Sequence, residues 1–259
     1  MRAPFTRGRN HSPVAALLPA GALLLGLVGY GFSMAVMVRA GLGLDPWDVF
    51  HQGLAGRTGM SFGLVTAIVG VGVLLAWIPL RNRPGIGTVA NVIVIAITVD
   101  AVLAVLPTPT GLPLRIAMML GAVVLNAIST VLYIGAGLGP GPRDGLMTGL
   151  VARTGLSVRL VRTAIEATVL AVGWLLGGTV GVGTVVYAFG IGPLVQLFVR
   201  LTPDRWLAVS GWAPVVSCQG GIDAANVEDV VGQGAGQSDG PGAVTETGRD
   251  DLQPTGGQR

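Results

Sequence analysis

The sequence contains no lysine, only one cysteine and few charged residues of either sign. Charged side chains make up 11% of its 259 residues, against about 25% in an ordinary soluble domain, so the composition argues against a soluble protein. Cys218 has no second cysteine with which to form an internal disulfide. Because Cys218, His11 and His51 are widely separated, we expect no metal site, and no motif indicates a cofactor. The arginines form no basic patch, which argues against nucleic-acid binding.

Long apolar runs fill most of the chain. Six of them cover residues 14–38, 62–80, 87–106, 114–134, 158–176 and 182–201, and each is close to the roughly 20 residues that cross a bilayer. The first run is longer than the apolar part of a signal peptide, so we predict a retained span in preference to a cleaved leader. Trp77 and Trp174 lie near the ends of two runs, where tryptophan is typical of the membrane interface.

One stretch of the sequence occurs twice. Residues 40–61 return with changes at 136–157, an offset of 96 residues from 40 to 136. The motif consists of Gly41, Gly43, Pro46 and Trp47 in the first copy and Gly137, Gly139 and Pro142 in the second, and a later element repeats Gly85, Gly87 and Thr88 as Gly181, Gly183 and Thr184. A period near 100 residues is too long for a solenoid, and it is typical of two homologous halves of a membrane protein.

Each copy of the motif predicts a short helix between two spans. Proline stands at the first helical position (Pro46, Pro142), aspartate in the first turn (Asp48, Asp144), glycine at the end (Gly59, Gly155) and a capping serine before the next span (Ser61, Ser157). About twelve residues extend roughly 18 Å, which is too short to cross a bilayer.

The predicted fold is an all-α membrane protein with six transmembrane helices. Each half has three crossings and one short helix that is re-entrant or interfacial; because three is odd, the halves are inverted repeats. If the short helices crossed as well, there would be eight spans and parallel halves. The predicted divisions are a cytoplasmic segment at 1–13, membrane repeats at 14–106 and 107–201, and a largely disordered cytoplasmic tail at 202–259, rich in glycine and acidic residues.

The distribution of arginine sets the predicted orientation. With the N-terminus inside, most arginines fall on the cytoplasmic side, including Arg81, Arg83, Arg143 and Arg153, whereas the loops at 107–113 and 177–181 carry no charge. We therefore expect a multi-pass protein of the bacterial inner membrane with both termini in the cytoplasm.

The repeated motif also resembles a known family. Gly-Leu-Gly-x-x-Pro-Trp-Asp from Gly41, the Gly-x-Ser ending at Ser61 and the Gly-x-Gly-Thr ending at Thr88 are similar to the YczE/YyaS/YitT family of bacterial multi-pass membrane proteins. The resemblance covers roughly residues 20–200. The second copy departs from the pattern at Arg143, where the first has Trp47. The resemblance implies a location and a topology, and it implies no substrate.

Six acidic, basic or amide residues in or beside the spans are candidates for a transport path. Asp48 and Asp144 either line a polar site where two re-entrant helices meet or cap interfacial helices. Asp100, whose repeat partner is Gln196, is either a proton or cation ligand or reaches the outer interface. Arg162 and Glu166 form either part of the path or an i,i+4 ion pair that neutralises itself.

Two functions remain open on this sequence. The first is a permease for a small solute or ion, with its path between the two inverted halves. The second is a non-transporting factor that assists or regulates a partner protein. The expected partners are the lipid bilayer, an unknown small solute and either a second copy of the chain or another membrane protein. Gly59-Met-Ser-Phe-Gly63 formally matches a hydrolase motif, but it precedes a membrane span, so we expect no enzyme.

Overall fold

The computed structural model describes residues 13–202, which form eight α-helices joined by short connections. The helices are α1 (Pro13–Ala40), α2 (Pro46–Thr58), α3 (Phe62–Leu80), α4 (Ile86–Val105), α5 (Leu112–Gly135), α6 (Pro142–Thr154), α7 (Val158–Leu175) and α8 (Val182–Leu201). The predicted cytoplasmic segment at 1–13 and the predicted disordered tail at 202–259 lie almost wholly outside the described residues.

The predicted ends of the two short helices are confirmed. Pro46 and Pro142 begin α2 and α6, and the next helices start with a serine hydroxyl that accepts a hydrogen bond from the backbone. Gly59 ends α2 with φ at 71°, in the left-handed region that glycine adopts without strain. The structure adds Asp45, which the sequence reading had missed, as the N-cap of α2: its Oδ1 accepts from N of Asp48 at 2.8 Å.

Five of the eight described helices are long and apolar enough to cross a membrane. They are Leu18–Ala40 within α1 together with α3, α4, α5 and α8, and they agree with five of the predicted spans. The remaining predicted span, α7, has 18 residues and carries Arg159, Arg162 and Glu166. These charges lower the mean hydropathy of α7. Length and composition therefore support five membrane-crossing helices, and they do not by themselves support α7 as a sixth.

The centre of the bundle is an antiparallel pair formed by α1 and α5. Arg115, near the start of α5, donates from Nε to the carbonyl of Ala40 at the end of α1 (2.7 Å). Further along, Asn126 donates to Ser33 Oγ at 2.9 Å. Gly26 lies against the backbone of Tyr133, where an added Cβ would come within 2.6 Å of an atom. As the numbering rises along α1 it falls along α5, so the first helices of the two halves point in opposite directions.

Each short helix packs against a long helix of the other half. In the first half, α2 lies on α7, where a Cβ on Gly53 would meet the carbonyl of Gly173 at 2.6 Å. In the second half, α6 lies on α3, where a Cβ on Gly149 would meet Leu80 at 2.9 Å. The two halves are therefore interleaved and share one interior.

The glycine motif lets loops of one half approach the helix starts of the other. N of Gly87 donates to the carbonyl of Leu138 at 2.9 Å, and N of Gly183 donates to the carbonyl of Leu42 at 2.8 Å. Gly139, with φ at 128°, has a backbone conformation that favours glycine. These backbone contacts fix where α2 and α6 begin.

One expectation about tryptophan is wrong. Trp174 is 65% exposed, as an interfacial residue should be, but Trp77 is only 1% exposed. Its ring fills the space left by the missing side chain of Gly145, and its Nε1 donates to the carbonyl of Pro142 at 3.1 Å. Trp77 is thus a packing residue between α3 and α6 and not part of an aromatic belt.

The α1–α5 contact predicts a difference between two glycines of the same helix. Gly26→Ala should destabilise the protein by about 1–3 kcal/mol, because the new Cβ would overlap the α5 backbone. Gly21→Ala is the matched control, since a Cβ at Gly21 meets nothing within 4 Å. Thermal unfolding of the two purified variants measures the difference, and equal midpoints would contradict this packing.

Candidate functional site

The two short helices meet at their N-terminal ends. Arg143, the second residue of α6, places one guanidinium nitrogen 3.7 Å from an oxygen of Asp45 and another 3.7 Å from an oxygen of Asp48. Its guanidinium also lies over the Trp47 ring, 5.1 Å from the centroid. Positions 47 and 143 are equivalent in the repeat. The position at which the two copies of the motif differ most clearly is therefore the position at which they contact each other.

The first-turn carboxylate of α2 lies in a buried polar cluster. Asp45, Asp48 and His51 are each no more than 2% exposed. His51 Nδ1 is 3.3 Å from Asp48 Oδ1 and 3.4 Å from Thr66 Oγ1. These contacts hold the imidazole between α2 and α3.

Burial changes the acid–base behaviour of this cluster. Loss of solvation raises the pKa of Asp45 to about 6, with the neighbouring Asp48 charge adding to the rise and Arg143 opposing it. Burial also raises the pKa of Asp48 to about 6, again against the attraction of Arg143. Burial lowers the pKa of His51 to about 3, so the imidazole is neutral at physiological pH and serves as a hydrogen-bonding group.

A cavity of about 290 Å³ lies beside the meeting point of the short helices. All eight described helices contribute to its wall, and all three tyrosines of the chain are among the lining residues. Most of the remaining wall is aliphatic. The charged lining residues are Asp45, Arg143, Asp144, Arg162 and Glu166. A mostly apolar cavity with a few polar groups is typical of a binding site for a small molecule.

Asp144, in the first turn of α6, lines the cavity. Its Oδ2 accepts a hydrogen bond from the Tyr133 hydroxyl at 3.4 Å, and Tyr133 packs edge-on against Tyr30 with ring centroids 6.0 Å apart. A second network continues from Tyr187, whose hydroxyl donates to Asn126 Oδ1 at 3.1 Å. The tyrosines are thus fixed in position along the wall.

The structure brings most of the sequence-predicted site residues together. Asp144, Arg162, Glu166 and Gln196 line the cavity, and Asp48 lies directly behind its wall in contact with Arg143. Arg162 and Glu166 form the i,i+4 pair, at 3.1 Å.

Asp100 lies elsewhere. Its carboxylate caps the start of α3, where the Ser61 hydroxyl donates to Oδ2 at 2.5 Å and N of Gly63 donates to Oδ1 at 2.7 Å. Asp100 is therefore a link between α3 and α4, and it is not among the residues that line the cavity.

Sequence reasoning missed Asp45, His51, Arg143 and the three tyrosines as site residues. Asp45 could have been found as the residue before a helix-starting proline, where an aspartate N-cap is common. Arg143 could have been found from its departure from the repeat. His51 and the tyrosines give no local signal, since their roles depend on neighbours far along the chain. Among residues 13–202, no group of three His, Cys, Asp or Glu side chains could hold a metal ion.

Comparison with known proteins places the chain in a family. The model of the "Family of unknown function (DUF6198)" matches residues 20–200. The chain belongs to this family. An uncharacterized protein of Haemophilus influenzae is 41% identical to this chain over 179 residues, which cover 69% of this chain and 82% of the relative. The uncharacterized membrane protein YczE of Bacillus subtilis is 32% identical over 199 residues, or 73% of this chain and 92% of YczE.

A third relative is more distant. The uncharacterized protein YyaS of Bacillus subtilis is 21% identical over 188 residues, covering 71% of this chain and 94% of YyaS. No solved structure matches. The resemblance to YczE and YyaS is confirmed, and this DUF6198 member is a membrane protein of the YczE type.

The Arg143 contact predicts a pH-dependent loss of stability in a variant of this DUF6198 protein. Arg143→Gln leaves two buried carboxylates without their cation, which should lower the free energy of unfolding by up to about 3 kcal/mol. The loss should not be larger, because the Arg143 side chain is 28% exposed and its ion pairs are partly screened by solvent. In the folded variant, Asp45 and Asp48 then bind protons more tightly than they do in the unfolded chain. The loss of unfolding free energy should therefore be larger at pH 8, where both carboxyls are ionised, than at pH 5.

Thermal unfolding midpoints at the two pH values measure this effect. Arg153→Gln, an exposed arginine later in the same helix, is the matched control and should change little at either pH. The double variant Arg143→Gln with Asp45→Asn should recover part of the loss at pH 8. A loss that is independent of pH would contradict the assigned role of Arg143.

Proposed function

We propose that the protein is a permease that carries a small solute by alternating access between two inverted halves. The observation that carries this proposal is the cavity lined by all eight helices, beside two helices of 13 residues each that meet end to end. Helix ends that meet inside a bundle, with binding groups at the interface of two halves, are typical of secondary transporters. No such arrangement is needed for a protein that only anchors a partner.

The antiparallel pair α1 and α5 supports the inverted arrangement. If each half crosses the membrane three times, the second half starts on the opposite side, and its first helix runs against that of the first half. Under this proposal α7 is the sixth crossing. Its Arg162–Glu166 ion pair offsets the charge within one turn of helix, and both residues border the cavity, so neither needs to face lipid.

Arginine supports an orientation with both termini in the cytoplasm of a bacterial cell. Arg81, which ends α3, and Arg200, in the last turn of α8, then lie on the cytoplasmic side, as the bias toward positive cytoplasmic loops favours. In this orientation α7 begins at the cytoplasmic side and α3 begins at the outer side.

The two halves differ in one respect that suggests how access alternates. In the first half α3 and α4 are closely packed: Gly63 lies against the carbonyl of Ala96, and Gly70 lies against Val92. Asp100 closes the outer end of this pair through its two hydrogen bonds to Ser61 and Gly63. We call this pair the outer gate.

The equivalent pair in the second half is separated. Although α7 and α8 are both fully described, they are not packed together as closely as α3 and α4. A Cβ on Gly192, the equivalent of Ala96, would meet nothing within 4 Å. Among the described hydrogen bonds, none joins Gln196, the equivalent of Asp100, to Ser157 or to N of Arg159. We call α7 and α8 the inner gate.

The proposed cycle exchanges these two arrangements. The inner gate closes when Gln196 bonds to Ser157 and to N of Arg159, as Asp100 bonds to Ser61 and Gly63 in the outer gate. The outer gate then opens by release of Asp100. The cavity would face the cytoplasm in the conformation described here and the outside in the other.

Labelling of a cysteine in the cavity tests this proposal. In a Cys218→Ser background, Ile191→Cys places a thiol on the cavity wall. A membrane-impermeant maleimide should label it in inside-out vesicles and much less in right-side-out vesicles. Adding Asp100→Ala should raise labelling from the outside several-fold, because the outer gate loses both of its hydrogen bonds.

The matched variant is Gln196→Ala, at the equivalent position of the second half. It removes the partner that would close the inner gate, so labelling from outside should fall. If Asp100→Ala and Gln196→Ala act in the same direction, or if neither changes the labelling, alternating access is wrong. One-sided labelling in every variant, together with an unchanged metabolite profile of a deletion strain, would favour the non-transporting factor.

A further inference from the structure

Asp144 differs from its repeat equivalent in the partners it has. Asp48 is close to two nitrogen-bearing side chains: Arg143 at 3.7 Å and His51 at 3.3 Å. The corresponding surroundings of Asp144 have lost these groups. The position equivalent to Arg143 in the first half is occupied by Trp47. The position equivalent to His51 in the second half is occupied by Met147. Asp144 therefore has neither an arginine nor a histidine within ion-pair distance, although Arg162 and Arg143 act on it from further away.

The other described carboxylates already have partners. Asp45 shares Arg143 with Asp48, Glu166 is paired with Arg162, and Asp100 bonds to Ser61 and Gly63 outside the cavity. Among residues 13–202, Asp144 is the one carboxylate that lines the cavity without a basic nitrogen within ion-pair distance. Its carboxylate has hydrogen bonds with the Tyr133 hydroxyl, at 3.4 Å, and with the Gly141 backbone.

The wall around Asp144 fits an organic cation better than a metal ion. The space beside Gly141 brings together an Asp144 oxygen, the Tyr133 hydroxyl and the amide nitrogen of Asn91, since a Cβ at Gly141 would lie within 4 Å of all three. These provide fewer oxygen ligands than the six or more that Ca²⁺ or Mg²⁺ needs. Aromatic rings and aliphatic side chains, in contrast, suit the carbon substituents of an ammonium group.

We infer that the cavity binds a small organic cation whose ammonium group pairs with Asp144 and contacts the tyrosine-lined wall. This inference rests on the proposed permease function and names the class of its substrate. A volume of about 290 Å³ limits the ligand to a small molecule. Arg143 is paired with Asp45 and Asp48, and Arg162 is paired with Glu166, so the wall carboxylate that a cationic ligand can balance is that of Asp144.

A proton competes with this cation for Asp144. Burial raises the pKa of the Asp144 carboxyl, while Arg162 and Arg143 oppose the rise. The other titratable groups that line the cavity are Tyr30 and Tyr133, Asp45 and His51 on the α2 side, Glu166 on α7 and Tyr187 on α8; α3 and α4 contribute none. Because burial favours the protonated form of Asp144, a proton and the cation compete for this carboxylate, and cation affinity increases with pH.

Calorimetric titration of the full-length protein in detergent tests the inference. The probes are tetramethylammonium, choline and ethanolamine, with acetate and lactate as anions of similar size. We expect at least one amine to bind, the anions not to bind, and the affinity for the amine to rise several-fold from pH 6 to pH 8. Asp144→Asn should weaken amine binding at least tenfold at pH 8, whereas Asp144→Glu, which keeps the charge, should weaken it by only a few-fold.

Folding of both variants is checked by their unfolding midpoints and elution profiles. The inference is overturned if none of the amines binds, if the anions bind instead, or if Asp144→Asn binds amines as the natural protein does. Uptake of labelled choline into proteoliposomes separates this inference from the proposed function. Binding that depends on Asp144 without any uptake would contradict the permease and leave the cation site standing.

Discussion

The contact of one guanidinium with two carboxylates holds the centre of this protein together. A short helix that starts inside a bundle has first-turn N–H groups that need partners, and Asp45 supplies one by accepting from N of Asp48. The two carboxylates are then buried, which is costly for a charge unless a partner is near. Arg143 is that partner. The end-to-end meeting of α2 and α6, and with it the position of the cavity, depends on this contact.

Glycine makes the meeting sterically possible. Loops at Gly43 and Gly139 pass so close to the starts of α8 and α4 that a Cβ on either would meet atoms of Gly181 or Gly85 within 3.2 Å. Apolar surroundings offer no water to backbone groups, so each must find a partner in the protein. The carbonyls of Leu42 and Leu138 find theirs in Gly183 and Gly87. The repeated glycine motif is therefore mainly a device for close backbone approach.

The helices and their ends could be predicted because they depend on near neighbours. Pro46, Gly59 and Ser61 each act on residues within about one turn of themselves, and the structure agrees with them. The site could be predicted only in part. The partners of Arg143 lie in the other half of the chain, and those of Asp100 lie on α3, so neither contact leaves a local pattern. Trp77 was misread for the same reason, since the space that buries it comes from Gly145 on a distant helix.

Positions 47 and 143 face each other, and they carry different residues. In an assembly of two identical chains, a residue on the symmetry axis meets its own copy, so either half alone would place tryptophan against tryptophan or arginine against arginine. Two like guanidiniums would repel, and two indoles would leave Asp45 and Asp48 without a cation. Joining the halves in one polypeptide removes this restriction. The unlike pair Trp47 and Arg143 is thus an arrangement that a dimer of two identical chains could not place on its axis.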